Sequence, residues 1–153
     1  MKTISHEYIR GLVDGEGCFS FHTIQQWKRA SNGETKRLKR PAFVIGMHER
    51  DEDLLNNVRD TLGVNVRVYW YASRSDNQGS KAILMVRDTI ELRDKIIPLF
   101  YKKLHGNKGK QFIEWLEKMG DEGVWEEGKY LHMLYKKEYF EEKVKIDVFN
   151  VMT

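Results

Sequence analysis

The succession of hydrophobic periods predicts an α+β domain in which an antiparallel sheet carries its helices on one face. Two observations predict it. Helical stripes and strand alternations follow one another in the order helix, two strands, helix, two strands, helices. The strands also arrive in adjacent pairs separated by turn-forming residues, which is how hairpins are written and parallel crossovers are not. At 153 residues, 41% of them hydrophobic, the chain can bury one sizeable core but is short for two ordinary domains, so residues 1–153 are expected to form a single domain.

Each element follows from its own residues. Ser5 can cap a helix whose apolar positions Ile9, Leu12 and Val13 recur at helical spacing, and Gly15-Glu16-Gly17 then stops it. From Cys18 to Trp27 the pattern alternates, with Phe19 and Phe21 on one face and Ser20, His22 and Gln26 on the other. A basic loop around Ser31-Asn32-Gly33 leads to a second strand, Arg40 to Met47, in which Phe43, Ile45 and Met47 point one way. Asp51 can cap a helix that runs through Leu62 on a stripe of Leu54, Leu55 and Val58, with Gly63 ending it. Val64, Val66, Val68 and Trp70 then alternate with Asn65, Arg67, Tyr69 and Tyr71, and a turn over Asp76-Asn77-Gln78-Gly79 precedes a strand from Lys81 to Val86. Helical patterns follow over Thr89 to Leu99, Lys110 to Met119 and Glu126 to Glu142, the last carrying Leu131, Leu134 and Tyr135.

Composition narrows the function classes. The richest apolar stretches, Ala82 to Val86 and Ile96 to Tyr101, are brief and bordered by charge, so no membrane span or signal peptide is expected and membrane is not a predicted partner. A soluble intracellular protein is expected, of a bacterial cytoplasm or of an organelle, chloroplast or mitochondrion. The single cysteine, Cys18, cannot form an internal disulfide and fits a reducing compartment. The net charge of +3 is only mildly basic, yet it is unevenly spread. Lys28, Arg29, Lys36, Arg37, Lys39 and Arg40 crowd one region, and Lys102, Lys103, Lys108 and Lys110 another.

With helices on one face, the other face of the sheet stays open. Its expected inventory is Ser20, His22, Gln26, Lys28, Lys39, Arg40, Arg67, Tyr69, Tyr71 and Lys81, a set of donors, cations and rings suited to base edges and phosphates.

The first helix, Tyr8-Ile9-Arg10-Gly11-Leu12-Val13-Asp14-Gly15-Glu16-Gly17, is physically odd. Gly11 and Gly15, four apart, share a face and would let another helix approach closely, although glycine weakens a helix. Asp14 and Glu16 place carboxylates at the negative end of the helix dipole, a cost of roughly 0.3–1 kcal/mol each that a bound cation reverses. This stretch closely resembles the LAGLIDADG motif of homing endonucleases. Gly11, Asp14, Gly15 and Gly17 stand at the motif's small and acidic positions, and Glu16 stands where the family has its metal-binding acid. The short strand after the motif, His48-Glu49-Arg50-Asp51 and the Leu62-Gly63-Val64 helix end also follow the family's order, so the resemblance spans roughly Ser5 to Leu116.

The resemblance implies the LAGLIDADG fold with a saddle-shaped antiparallel sheet and a site-specific endonuclease that makes a staggered double-strand cut in a long pseudo-palindromic DNA. The resemblance also implies a role in intron homing. One motif copy against two strands implies a homodimer with its motif helices packed through Gly11, Leu12, Asp14 and Gly15. Glu16 from each copy, with the Gly15 carbonyl, would hold Mg2+, and Mn2+ or Ca2+ could occupy the same place. Asp14 is read as structural. The family's lysine near the helix after the fourth strand is placed at Lys108, two residues before the expected helix start, with Lys110 second. The chain departs from its relatives at Met47, where some have a glutamine, and at Asp51, where some have an arginine; His48 or Arg50 could substitute. Two other readings remain open, an intron RNA-splicing maturase, for which intron RNA is the partner, and a non-cleaving DNA-binding protein of the same fold.

Overall fold

A computed structural model describes residues 3–29, 31–72 and 79–136. Helix α1 (His6–Glu16) passes directly into β1 (Gly17–Arg29), which pairs antiparallel with β2 (Thr35–His48). A 3-10 turn, Glu49–Asp51, leads into α2 (Glu52–Leu62), and β3 (Tyr69–Tyr71) and β4 (Lys81–Val86) complete a four-stranded antiparallel sheet in the order β1-β2-β4-β3. The sheet is curled, as expected for the saddle. Then come α3 (Thr89–Glu91), a wide turn over Leu92–Ile96, α4 (Ile97–Phe100), α5 (Lys108–Lys118) and α6 (Glu126–Lys136). The element order is the one the periodicity predicts, and β4 has the expected bounds.

Local chemistry sets the boundaries. The Ser5 side chain accepts from the Tyr8 N–H and starts α1. Gly63, at φ 71°, ends α2 in the left-handed conformation that glycine adopts without penalty. Pro98 has no N–H to offer the Asp94 carbonyl, and just upstream the helix opens into its wide turn, with the Ile97 N–H reaching back five residues to the Leu92 carbonyl.

Four expectations are corrected. The β1–β2 ladder runs past both expected strand ends, through Trp27 opposite Arg37 to Arg29 opposite Thr35, because backbone pairing needs no apolar pattern to continue. Within it Ile24, Gln25 and Gln26 face Leu38 alone, a bulge that removes Gln26 from strict alternation. The strand expected from Val64 shrinks to Tyr69–Tyr71. Val64 and Val68 are buried, so the alternation was a true burial signal, but their segment finds no partner strand, and the Asn65 N–H donates to the Glu91 carboxylate instead. Trp70, expected beside those valines, is 58% exposed on the outermost strand. The expected turn over Asp76, Asn77 and Gln78, and the last helix beyond residue 136, lie outside the described residues.

The core lies between the sheet and the helices. Ile9 and Val13 of α1, Leu55 and Val58 of α2, Phe112, Trp115 and Leu116 of α5 and Leu131 of α6 meet Phe43 and Ile45 of β2 and Ala82, Leu84 and Val86 of β4. At its centre Phe19, Phe43, Phe100, Phe112 and Trp115 stack with neighbouring ring centroids 4.9 to 5.9 Å apart. Trp115 also donates its indole N–H to the Ser20 carbonyl at 2.9 Å, fixing β1 over α5. No helix of the described residues is long and apolar enough to cross a membrane.

Candidate functional site

Helix α1 is held along its length. Arg10 donates through Nε to the Leu99 carbonyl at 2.9 Å, and the Ile4 N–H donates to the Thr61 hydroxyl at 3.0 Å. At Gly17 a Cβ would stand 2.6 Å from a Val13 methyl and 2.9 Å from its carbonyl oxygen, so only glycine lets the chain leave the helix straight into the sheet. Glu16 is therefore the last helical residue, exposed, beside helix-end carbonyls that lack intrahelical partners. Cβ atoms built on Gly11 and Gly15 meet nothing within 4 Å; with Tyr8, 51% exposed, these residues line an uncovered stripe of α1. Leu12 instead packs partly against the core.

Asp14 turns the other way. Its carboxylate accepts the backbone N–H groups of His105 and Gly106 at 3.0 and 3.1 Å, which offsets its position at the negative end of the helix and ties the loop before α5 to the motif. The structural role expected of Asp14 thus gains a partner within the chain. Two residues beyond the clamp, Lys108 is the first residue of α5 and half-buried, not two residues before the helix as expected. The helix begins early because the first turn already closes on Gly106 and Asn107, whose carbonyls accept from Gly109 and Lys110. Lys110 is exposed one turn-step further on. The clamp therefore brings Glu16 and Lys108 to the same end of the molecule, each two residues from it.

Among the described residues no three His, Cys, Asp or Glu side chains converge into a metal-holding group. The oxygen donors at the end of α1, a free carboxylate and helix-end carbonyls, fit a hard cation such as Mg2+ that keeps several waters, but one chain supplies only part of a coordination shell. Met47 is half-buried opposite Ala82, and Asp51 makes no capping bond of its own. His48 accepts the Arg50 N–H at Nδ1, 3.1 Å, and so caps the turn after β2.

The open face gathers many of the residues expected there, though not all. Ser20 and His22 lie adjacent on β1, Oγ to Nε2 3.3 Å, with His22 opposite Arg40 of β2 and Tyr71 opposite Lys81 of β4. Arg40 donates to the Arg87 carbonyl at 2.9 Å and lies 4.8 Å from the centre of the Trp125 ring, while its buried Nε finds no partner among the described residues. Burial, then Arg87, depresses the His22 pKa, so His22 resists taking up a proton. Arg87 and Trp125 were missed; the β4 alternation alone could have pointed to Arg87.

Lys39 does not share this face. Strand alternation sends it opposite to Arg40, and it lines a hollow on the helix side with Phe21, Lys118 and Asp121. Its backbone is held by the Gly123 carbonyl and the Trp125 N–H, where the chain before α6 bridges to β2. Lys28 stands exposed toward the hairpin tip, directly opposite Lys36, whose ammonium lies 3.6 Å from the Glu34 carboxylate. Arg67 is exposed but precedes β3.

A profile of the LAGLIDADG endonucleases matches residues 9–119, from the motif helix through α5. The chain belongs to this family. Solved LAGLIDADG structures share the fold. I-GzeII, crystallised with its DNA target, is 23% identical with a TM-score of 0.58 over 94% of this chain and 42% of its own. The homing endonuclease I-TnaI is 23% identical with a TM-score of 0.58 over 98% of this chain and 99% of its own. I-LtrWI, bound to target DNA, is 24% identical with a TM-score of 0.56 over 90% of this chain and 47% of its own. The chain thus spans less than half of I-GzeII and I-LtrWI and nearly all of I-TnaI. Among curated proteins no relative matches.

Proposed function

We propose that this chain, acting as a single LAGLIDADG domain, pairs with a second copy of itself and makes a divalent-metal-dependent, staggered double-strand cut in a long pseudo-palindromic DNA, in the service of intron homing. The observation that carries this reading is the exposed Glu16 at the end of a helix whose Gly11–Gly15 stripe is open to a second helix.

Two copies meeting through that stripe bring two Glu16 carboxylates together at the helix ends, with the Gly15 carbonyls beside them. Mg2+ bound there would polarise the scissile phosphate and supply a nucleophilic water. The chain's own residues do the remaining work. Lys108, set by the Asp14 clamp, donates N–H bonds to phosphate oxygens or to solvent, with Lys110 the second candidate; the lysine charge is worth most where the phosphate gains negative charge. Ser20, His22, Arg40, Tyr69, Tyr71 and Lys81 face the major groove, and Lys28 with its neighbours meets phosphates further out. Asp14 acts on the reaction by holding the α5 loop rather than as a metal ligand.

The test is cleavage of plasmid carrying the joined flanks of the host gene, in Mg2+, with Glu16→Gln and EDTA as controls. The expected outcome is linear product from the wild type only, with the variant about a thousandfold or more slower and its DNA affinity little changed. Tight binding without any cut by the wild type would move the assignment to a non-cleaving DNA-binding protein or an RNA-splicing maturase.

A further inference from the structure

The open face is not uniformly polar. Its centre is a continuous apolar floor, built by the register from three strands: Cys18 of β1 opposite Val44 of β2, Val44 opposite Met85 of β4, and Gly46 opposite Ile83. Ala42, beside Ser20, is fully buried and lies outside it. Val44, Ile83 and Met85 are half-buried and Cys18 exposed, and the Ile83 Cδ1 leans over Gly46, 3.1 Å from where a Cβ would stand. Cations bound the floor at both ends: Arg40 and Arg87 at one, Lys81 at the other.

We infer that this floor, resting on the DNA-binding reading above, recognises the 5-methyl groups of thymines in the inner part of each half-site. The floor has no side-chain amide, guanidinium or carboxylate, so it cannot make the bidentate contacts that read guanine or adenine. The thymine methyl is the major-groove feature that apolar side chains read. The flanking cations suit the phosphates on either side of such a segment, which commits the face to a duplex rather than to a protein partner. Placement gives the position. Cys18 is two residues from Glu16, so the floor begins about 7 Å of strand from the candidate cutting site. From Val44 to Gly46 it runs about 7 Å, enough for about two base pairs at ~3.4 Å each.

The test works on any target sequence. A random-sequence duplex library is selected on the wild-type protein in Ca2+, and the bound pool is re-amplified with either dTTP or dUTP, which differ only by the methyl. The expected result is a selected pool enriched in thymine at inner positions and binding about three- to fourfold weaker per methyl removed there. Val44→Thr and Ile83→Thr, both on the solvent side of the sheet, should shrink that difference while still binding the pool. Equal wild-type affinity for the thymine and uracil pools, with specific selection intact, overturns the inference and leaves the DNA reading standing. A difference that both threonine variants retain in full also overturns it, since the methyls would then be sensed elsewhere. Failure to select any sequence overturns the DNA reading and this inference together.

Discussion

The two ends of the β1–β2 ladder are built differently. At the near end β1 leaves α1 without a loop, and the junction is locked by the clash-limited Gly17, by the Asp14 clamp and by the ring cluster under Phe19. At the far end the strands carry Lys28, Arg29, Lys36 and Arg37 on exposed or half-exposed positions, and the tip is tied chiefly by Ser31, whose N–H and hydroxyl donate to Glu122. Those bonds pull the Glu122 carboxyl below its ordinary range, with Lys129 and Lys28 adding to the effect. The near end offers a few groups in fixed positions; the far end offers charge on a long arm. Catalysis depends on placing groups to within fractions of an ångström, whereas phosphate attraction tolerates movement.

This contrast can be broken in steps. The largest effect beyond Glu16 is expected from Asp14→Ala, which leaves the His105 and Gly106 N–H groups without their acceptor and frees the start of α5. Denaturant unfolding should show a loss of about 1–2 kcal/mol, and the cleavage rate at saturating DNA should fall with it, because Lys108 loses its anchor. Asp14→Asn, which keeps one acceptor oxygen, should recover part of both. An unchanged rate in a destabilised Asp14→Ala protein would show that the clamp serves folding alone.

At the far end the expectation is the reverse. Lys28→Ala with Lys36→Ala should leave the saturated cleavage rate intact while lowering the slope of log affinity against log salt by about 0.9 for each phosphate that the two lysines no longer neutralise. A fall in the saturated rate with an unchanged salt slope would erase the division between the two ends.

The smallest effect concerns pH. Because the folded His22 pKa lies below its ordinary value of 6.5, the unfolded chain binds a proton more readily over that interval. The stability His22 contributes is therefore fully present above pH 6.5 and is lost as pH falls from there through the depressed value. His22→Gln should flatten the stability curve in that window and leave it unchanged at pH 8; an identical curve for wild type and variant would remove His22 from the account.

What the sequence by itself determined is what a few neighbouring residues encode. The cap at Ser5, the stop at Gly63, the stripes of α1 and α2, the alternation of β4 and the whole motif to Glu16 are all written within one or two turns or strand steps, so the family and the order of elements could be read directly. The candidate site was legible at Glu16, at the Gly11–Gly15 stripe and at Ser20, His22 and Arg40. Only the tertiary structure decided the rest. Asp14 and the N–H groups it clamps are 91 and 92 residues apart, and no local pattern joins them. The opposed faces of Lys39 and Arg40 follow from strand alternation and were open to the sequence, whereas the early end of the Val64 strand depends on whether a partner lies alongside. The apolar floor of the open face exists only through the register of three strands, because periodicity reports which residues share a face within one strand but not which neighbours a second strand will bring beside them.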